Sequence, residues 1–230
     1  TGQPASMPDW GPDMNRIVYA KSTSVGPVAG LADALSIKDG SIVLAENTGG
    51  TWGPGPTLVA ADHDNNYYPA FSPDGRWVVF MKSPTNMDSD VSMGVTDANL
   101  WVVPVDLSAA PIHLAQASGA GDSWPKWNPS EYDESGHTIF WLAWSSQRAY
   151  GLRYGTGSVV QLWMTAFDPS RAAAGMEPAY PAFRLPFQNI GTGNHIPQWV
   201  TTVHRETCST DVDCGGEFCV DGRCYQQPPL

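Results

Sequence analysis

The sequence predicts an all-β fold of short antiparallel strands, and three features predict it. Charged residues are 15% of the 230, below the roughly 25% of an ordinary globular domain, while Gly (23), Pro (20) and aromatics (11%) are abundant. Turn formers and aromatics in that proportion oppose helix and suit strands. Short β-branched and aromatic runs such as Arg76-Trp77-Val78-Val79-Phe80 are bounded by Pro, Gly and Asp. Finally, one such unit recurs along the chain.

The recurring unit is Pro-x-aromatic-x-Pro-Asp/Ser. Pro8-Asp9-Trp10-Gly11-Pro12-Asp13, Pro69-Ala70-Phe71-Ser72-Pro73-Asp74-Gly75 and Pro125-Lys126-Trp127-Asn128-Pro129-Ser130 are three copies, and Pro197-Gln198-Trp199-Val200 is a truncated fourth. The aromatics stand 61, 56 and 72 residues apart. A second echo follows two copies: Leu100-Trp101 with Asp106, and Leu162-Trp163 with Asp168, share their offsets. The first Pro fixes φ where a strand begins and needs no ladder donor. Ser72-Pro73-Asp74-Gly75 is a tight turn, with Pro pre-setting φ and Gly accepting a positive one.

A second strand comes next, at Arg16-Ile17-Val18-Tyr19, Arg76-Trp77-Val78-Val79-Phe80 and Thr138-Ile139-Phe140-Trp141. The third copy carries an insertion, Ser130 to His137, that lengthens its turn. The Leu-Trp segments supply third strands, and Ile112-His113-Leu114 and Ala182-Phe183-Arg184-Leu185 short outer fourth ones. In the first copy Ser41–Ala45 and Thr57–Ala60 take those places, and Asn47 to Pro56 is a loop by composition, as is Arg148 to Ser158. Four short antiparallel strands per repeat describe blades of a β-propeller, and a blade needs neighbours to bury both faces.

The run from Pro69 to Phe80 closely resembles the repeat of TolB-like β-propellers (the PD40, or WD40-like, repeat), in which Pro-x-Phe/Trp-Ser-Pro-Asp-Gly begins each blade. The Leu-Trp-x-x-x-x-Asp segments are similar to that family's third strand. The resemblance covers residues 4–200. The first copy lacks the Ser and the Gly after Asp13, the third has Asn128 and Ser130 for Ser and Asp, and the fourth stops after Val200. The resemblance implies a ring of six or seven blades, of which this chain holds about three plus one strand. It places Trp10, Phe71, Trp127 and Trp199 around a common centre. The rest of the ring is expected from an N-terminal propeller portion, so the chain, which opens at Thr1 without a leader, is expected to be the C-terminal part of a larger propeller.

A net charge of −11 with no Lys/Arg cluster opposes nucleic-acid binding and adhesion to anionic membranes. No apolar run approaches the roughly 18–20 residues of a membrane helix. All four cysteines, Cys208, Cys214, Cys219 and Cys224, fall near the C-terminus, with gaps of five, four and four residues. A disulfide-rich tail from an oxidising compartment is the expectation, and a Cys₄ zinc site, without the usual Cys-x₂-Cys knuckles, is the alternative. Four cysteines allow three pairings, and Cys208–Cys219 with Cys214–Cys224 closes two similar loops. Asp211 and Asp213 suit turns there. The chain therefore divides into a propeller segment, residues 1–203, and a cysteine-rich tail, residues 204–230, with a loose end at Gln226–Leu230. A periplasmic, cell-surface or secreted location follows.

Candidate site residues come from the loops entering the inner strands. Asp62-His63-Asp64 precedes the second motif, Asp122 the third and His195 the fourth. At a channel mouth these groups could hold Ca²⁺ or another divalent cation, although Asp and Asn in such loops also cap backbone donors. Asp88-Ser89-Asp90 lacks the rest of a calcium loop, and His113 and His137 belong to an outer strand and a loop. No serine-nucleophile elbow, His-Glu-x-x-His, P-loop or dinucleotide fingerprint occurs. The expected function is a non-enzymatic protein–protein interaction or assembly scaffold. The alternative is the propeller of a metal-dependent polysaccharide lyase, with His63 and His195 on the metal, or of a peptidase-associated enzyme.

Overall fold

The computed structural model describes residues 4–22, 24–25, 37–84, 97–151, 159–200, 203–214, 218–220 and 222–225. Asp88-Ser89-Asp90, most of the Arg148–Ser158 loop and the Gln226–Leu230 end lie outside the described residues. The chain forms two compact units, Thr1–Pro197 and Gln198–Leu230.

The larger unit holds three antiparallel propeller blades, two of four strands and one of four strands with a fifth paired beside them. The first contains β1 (Ala5–Trp10) and β2 (Arg16–Lys21), then a two-residue ribbon of β3 (Ser24–Val25) and β4 (Ile37–Lys38), then β5 (Ser41–Thr48) and β6 (Thr51–Val59); its sheet order is β1-β2-β5-β6. The second runs β7 (Asp64–Phe71), β8 (Trp77–Pro84), β9 (Asn99–Pro104), β10 (Ile112–His113) in spatial order. The third contains β11 (Ser123–Trp127), β12 (Tyr132–Glu134), β13 (His137–Ser146), β14 (Gln161–Phe167) and β15 (Phe183–Arg184), ordered β11-β13-β14-β15 with β12 paired to β13. The inner strands run side by side, β1 along β7 and β7 along β11.

The repeated turn has one construction. The amide after the motif aromatic donates to a carbonyl of the strand that pairs with it: Gly11 N to Arg16 O (2.8 Å) and Ser72 N to Trp77 O (2.9 Å), each at the start of its strand, and Asn128 N to Trp141 O (2.8 Å), inside β13. Asp13 and Asp74 each accept an amide two residues on, at 3.0 Å, and Asn128 does the same for Ser130 at 2.8 Å. Gly75 has φ +66°, and Met14 takes the same left-handed conformation (φ 57°) in its place.

Those bonds correct one expected register. Trp141, at the end of the expected Thr138–Trp141 segment and not near its start, is the equivalent of Trp77, because the Ser130–His137 insertion does more than lengthen a turn. Tyr132–Glu134 folds back on His137–Ile139 as a hairpin and prolongs β13 at its start, which also puts His137 in a strand. The Asn47–Pro56 loop is likewise corrected. It is the tip of a β5–β6 hairpin turned by Gly49 (φ 61°) and Gly50 (φ 87°). Pro54 and Pro56 are accommodated because β6 is an outer edge strand. A short helix, α1 (Pro169–Ala173), follows β14; Asp168 caps it by accepting from Ser170 N and Arg171 N, with Pro169 in the first turn.

The core lies between blades. Val18, Leu44, Tyr67, Phe80, Leu100, Leu142, Trp144 and Phe167 are fully buried in one continuous cluster. Each such side chain contributes about 1.5–3 kcal/mol on removal from water. Trp127 lies edge-on to Phe167 (5.2 Å), which meets Trp77 of the middle blade (5.8 Å).

In the smaller unit β16 (Val203–Thr207), β17 (Phe218–Val220) and β18 (Arg223–Tyr225) form their own sheet, ordered β16-β18-β17. Disulfides Cys208–Cys219 and Cys214–Cys224 close it, the interleaved pairing expected from loop size. Asp213 accepts amides of Ser209 (2.7 Å) and Thr210 (2.9 Å) in the turn between them.

Candidate functional site

The inner strands share an irregularity that creates the best-defined site. In each, the residue before the first motif proline is left-handed: Met7 (φ 56°), Tyr68 (φ 49°), Trp124 (φ 54°) and, at the fourth motif, Ile196 (φ 58°). Side-chain and pre-proline sterics both disfavour this conformation, so each position stores about 1–3 kcal/mol of strain. The cause is a β-bulge. The ladder slips between Ser6 and Asp9, Tyr67 and Ala70, and Ser123 and Lys126, leaving two residues against one. Proline as the second bulged residue removes an amide that would have no ladder partner.

The bulges bring their side chains together. Met7 Sδ lies 3.4 Å from Tyr68 N, Tyr68 stacks on Trp124 (centroids 4.1 Å apart), and Trp124 meets His195 edge-on (5.8 Å). Side chains from successive inner strands thus meet one after another. Ser6, Met7, Pro8, Pro69, Pro125 and Lys126 are among the residues enclosing a cavity of about 170 Å³ there. Its lining is mainly apolar and aromatic, with Ser6 and Lys126 as its polar members. Asp9 accepts Phe71 N (2.9 Å) through one oxygen and meets Lys126 Nζ (3.2 Å) through the other, tying all three inner strands. Ala70 is the small residue at the intervening motif position.

The residues expected near the channel fall in separate places. Asp62 and Asp64 both hold Lys82, at 3.1 and 3.0 Å, and His63 stands between them with φ 76°. Partial burial pulls the Lys82 ammonium down, but bonds to Asp64 and Asp62 outweigh it and hold its pKa above the usual value. Asp122 is 1% exposed. Its carboxylate accepts Gly119 N (2.6 Å), Trp144 Nε1 (3.1 Å) and Arg148 (2.9 Å), and Arg148 also lies over the Trp163 ring (4.7 Å). Burial pushes the Asp122 carboxyl up, and Arg148, Ser146 and the Gly119 amide pull against that rise. His195 is the one expected residue at the cavity's aromatic stair; its Nε2 lies 3.4 Å from Ser123 Oγ. Among the described residues the one group of three side chains close enough to hold a metal is Cys208, Cys214 and Cys219, which are disulfide-bonded.

Met7, Tyr68, Trp124, Asp9 and Lys126 were not singled out from the sequence as site residues. The available signal was position: each flanks or lies within Pro-x-aromatic, the part of the repeat that faces neighbouring inner strands. Phe71 and Trp127 occupy successive blade interfaces. Arg16 of the first blade lies over the Phe71 ring (5.5 Å), and Trp127 Nε1 donates to Ala70 O of the second (3.1 Å). Trp10 holds the same position in the first blade but is 52% exposed and touches Trp52 edge-on.

No family model matches the chain, and no curated protein matches it. Among solved structures, it is similar to a putative TolB from Agrobacterium tumefaciens, at 20% identity and a TM-score of 0.42, over 73% of this chain and 47% of that one. A structure from a study of two prolyl endopeptidases matches at 13% identity and a TM-score of 0.35, over 72% of this chain and 20% of that one. The chain thus spans about half the length of the first and a fifth of the second.

Proposed function

We propose that this chain is a non-enzymatic, protein-binding scaffold of an exported TolB-like propeller, and that the mouth formed by the bulged inner strands is its binding face. The observation that carries the reading is the repeated left-handed residue before proline, which three blades spend strain on at one place. That arrangement sets aromatic and apolar side chains rigidly around a small cavity with a charged rim. Preorganised shape of this kind favours docking, since little ordering is left to oppose binding. The two disulfides in the C-terminal unit support an oxidising compartment: periplasm, cell surface or extracellular space. No described helix is long and apolar enough to cross a membrane.

Photo-crosslinking in the natural host tests this. A photoreactive residue at Ser6, beside the cavity, is compared with one at Thr57 on the outer strand β6. Protein adducts concentrated at Ser6 are expected. Equal labelling at both positions overturns the reading. So does a stoichiometric divalent cation whose binding His63→Ala abolishes, which would restore the lyase alternative.

A further inference from the structure

The third blade carries two additions that the second does without. One is the β12–β13 hairpin, in which Tyr132 pairs with Ile139 and Glu134 with His137. Ser135 (φ 56°) and Gly136 (φ 82°) turn it, the pair of positive φ values that suits a two-residue hairpin loop. The other is the helix-bearing connection between β14 and β15. In the second blade β8 begins at Trp77, and β9 ends at its register partner Pro104. Trp141 and Ala166 are the corresponding pair in the third blade. Both additions therefore lie past the level at which the second blade stops.

The two additions converge on one groove of about 750 Å³, a size that suits a small-molecule site. The hairpin contributes Tyr132, Glu134 and His137, the connection contributes Asp168, Arg171 and Tyr180, and Trp141 is the blade's own aromatic there. Tyr132 and Tyr180 are 42% and 40% exposed, large rings left open to solvent. All three rings are held in place. Tyr132 Oη accepts from Asn128 Nδ2 of the motif turn (3.2 Å), and Phe183 stands edge-on to Trp141 (6.3 Å). Tyr180 N donates to Ala166 O (3.0 Å), and the Arg171 guanidinium lies over its ring (5.5 Å). Arg171 Nε donates to Glu177 O (2.8 Å), which fixes the guanidinium and leaves its terminal nitrogens as donors.

The mixture of charges selects the ligand. An anion meets Glu134 and Asp168, and a cation meets Arg171. A wholly apolar ligand takes these groups out of water and gives no hydrogen bond in return. An uncharged polyol with apolar ring faces satisfies all of them: its C–H faces cover aromatic rings, while its hydroxyls accept from Arg171 and donate to Glu134. We propose that this groove binds a neutral oligosaccharide, whose pyranose rings lie against Tyr132, Trp141 and Tyr180. The proposal stands apart from the binding reading, since the groove shares no residue with the cavity at the mouth.

Calorimetric titration of the 230-residue chain, with its disulfides intact, tests this. The probes are cellohexaose, chitohexaose, maltohexaose and laminarihexaose, with hexagalacturonate as the anionic comparator and the chitosan hexamer as the cationic one. The expected result is that at least one neutral hexamer binds with a Kd below about 1 mM, and that both charged hexamers bind at least about tenfold more weakly. Tyr180→Ala and Glu134→Ala, both at exposed positions, each weaken that binding on the order of tenfold, with urea unfolding showing that the variants are folded. Tyr180→Phe keeps the ring and keeps the affinity. Trp10→Ala removes an exposed aromatic outside the groove and leaves the affinity unchanged. Absence of binding by every neutral hexamer, charged hexamers that bind as tightly, or affinity that survives both alanine variants each overturns the proposal. So does an equal loss in Tyr180→Ala and Tyr180→Phe, or a loss in Trp10→Ala.

Discussion

Replacing Asp122 by alanine removes the only carboxylate that faces Arg148 at short range among the described residues, and the effect can be worked out from the geometry. Three donors lose their acceptor: Arg148 NH2 at 2.9 Å, Trp144 Nε1 at 3.1 Å and Gly119 N at 2.6 Å. Arg148 cannot turn to water freely, since its guanidinium is bonded to Ala117 O (2.5 Å) and Ser146 Oγ (3.0 Å) and lies over Trp163. Breaking a buried pair by removing one partner costs about 3–5 kcal/mol. For a chain of this length that is a fall in Tm of roughly 6–20 °C. Arg148→Met keeps the stem over the tryptophans and removes the cation. Burial then raises the Asp122 carboxyl further, because its main opposing partner is gone. A carboxyl raised in the folded state favours folding in its protonated form, so this variant has its full stability below the unfolded value near 3.8 and loses it as pH rises through the folded pKa. In the double variant neither charge is stranded, and its cost falls short of the sum of the singles by about 2 kcal/mol. Urea unfolding followed by tryptophan fluorescence, with the disulfides intact, measures all four corners. Additivity within about 0.5 kcal/mol would refute the reasoning.

The repeat makes further predictions, each pairing equivalent positions. Trp127→Ala should cost about 3–5 kcal/mol in urea unfolding, because the ring is 7% exposed between blades; Trp10→Ala, at 52% exposure, should cost under about 1 kcal/mol in the 230-residue chain. Met14→Gly should stabilise by about 0.5–1 kcal/mol, since it restores the repeat's glycine at φ 57° and removes a side chain that is 60% exposed. Gly75→Ala should destabilise by about 1–2 kcal/mol, its Cβ arriving 2.9 Å from the Arg16 guanidinium and 3.0 Å from Pro12; equal Tm shifts of one sign for the two variants would contradict this. Amides of Ser209 and Thr210 hold the Asp213 carboxyl below its usual value of 3.8. Its contribution to the cysteine-rich unit is therefore present above pH 3.8 and lost as pH falls through the lower folded value. Exchange of the Ser209 and Thr210 amides should accelerate over that window, and in Asp213→Asn the acceleration should disappear.

The blades were legible in the sequence because their punctuation is local. Pro69 and Pro73 forbid ladder donors, Gly75 takes a positive φ, and Val78-Val79-Phe80 favours an extended chain, whatever surrounds them. The cysteine pairing was legible for a similar reason, since loop length acts within a few residues. Register in the third blade was not. The Ser130–His137 insertion reads equally well as a loop or a hairpin, and only pairing of Tyr132 with Ile139 shifts the aligned tryptophan to 141. The Gly49-Gly50 turn was hidden in the same way, by prolines that an edge strand tolerates and a central one does not.

The site divides along that line. Pro-x-aromatic at four places, and the charges at Asp9 and Lys126, are properties of the chain alone. That Met7, Tyr68, Trp124 and His195 form one stair is a property of the assembled blades. A bulge is created by the partner strand, and residues about sixty positions apart share a wall only once three sheets pack side by side. The fates of Asp62, Asp64 and Asp122 were decided there too. Each has a cation from a different strand or loop, Lys82 or Arg148, and no local pattern reveals which positive group the fold will bring.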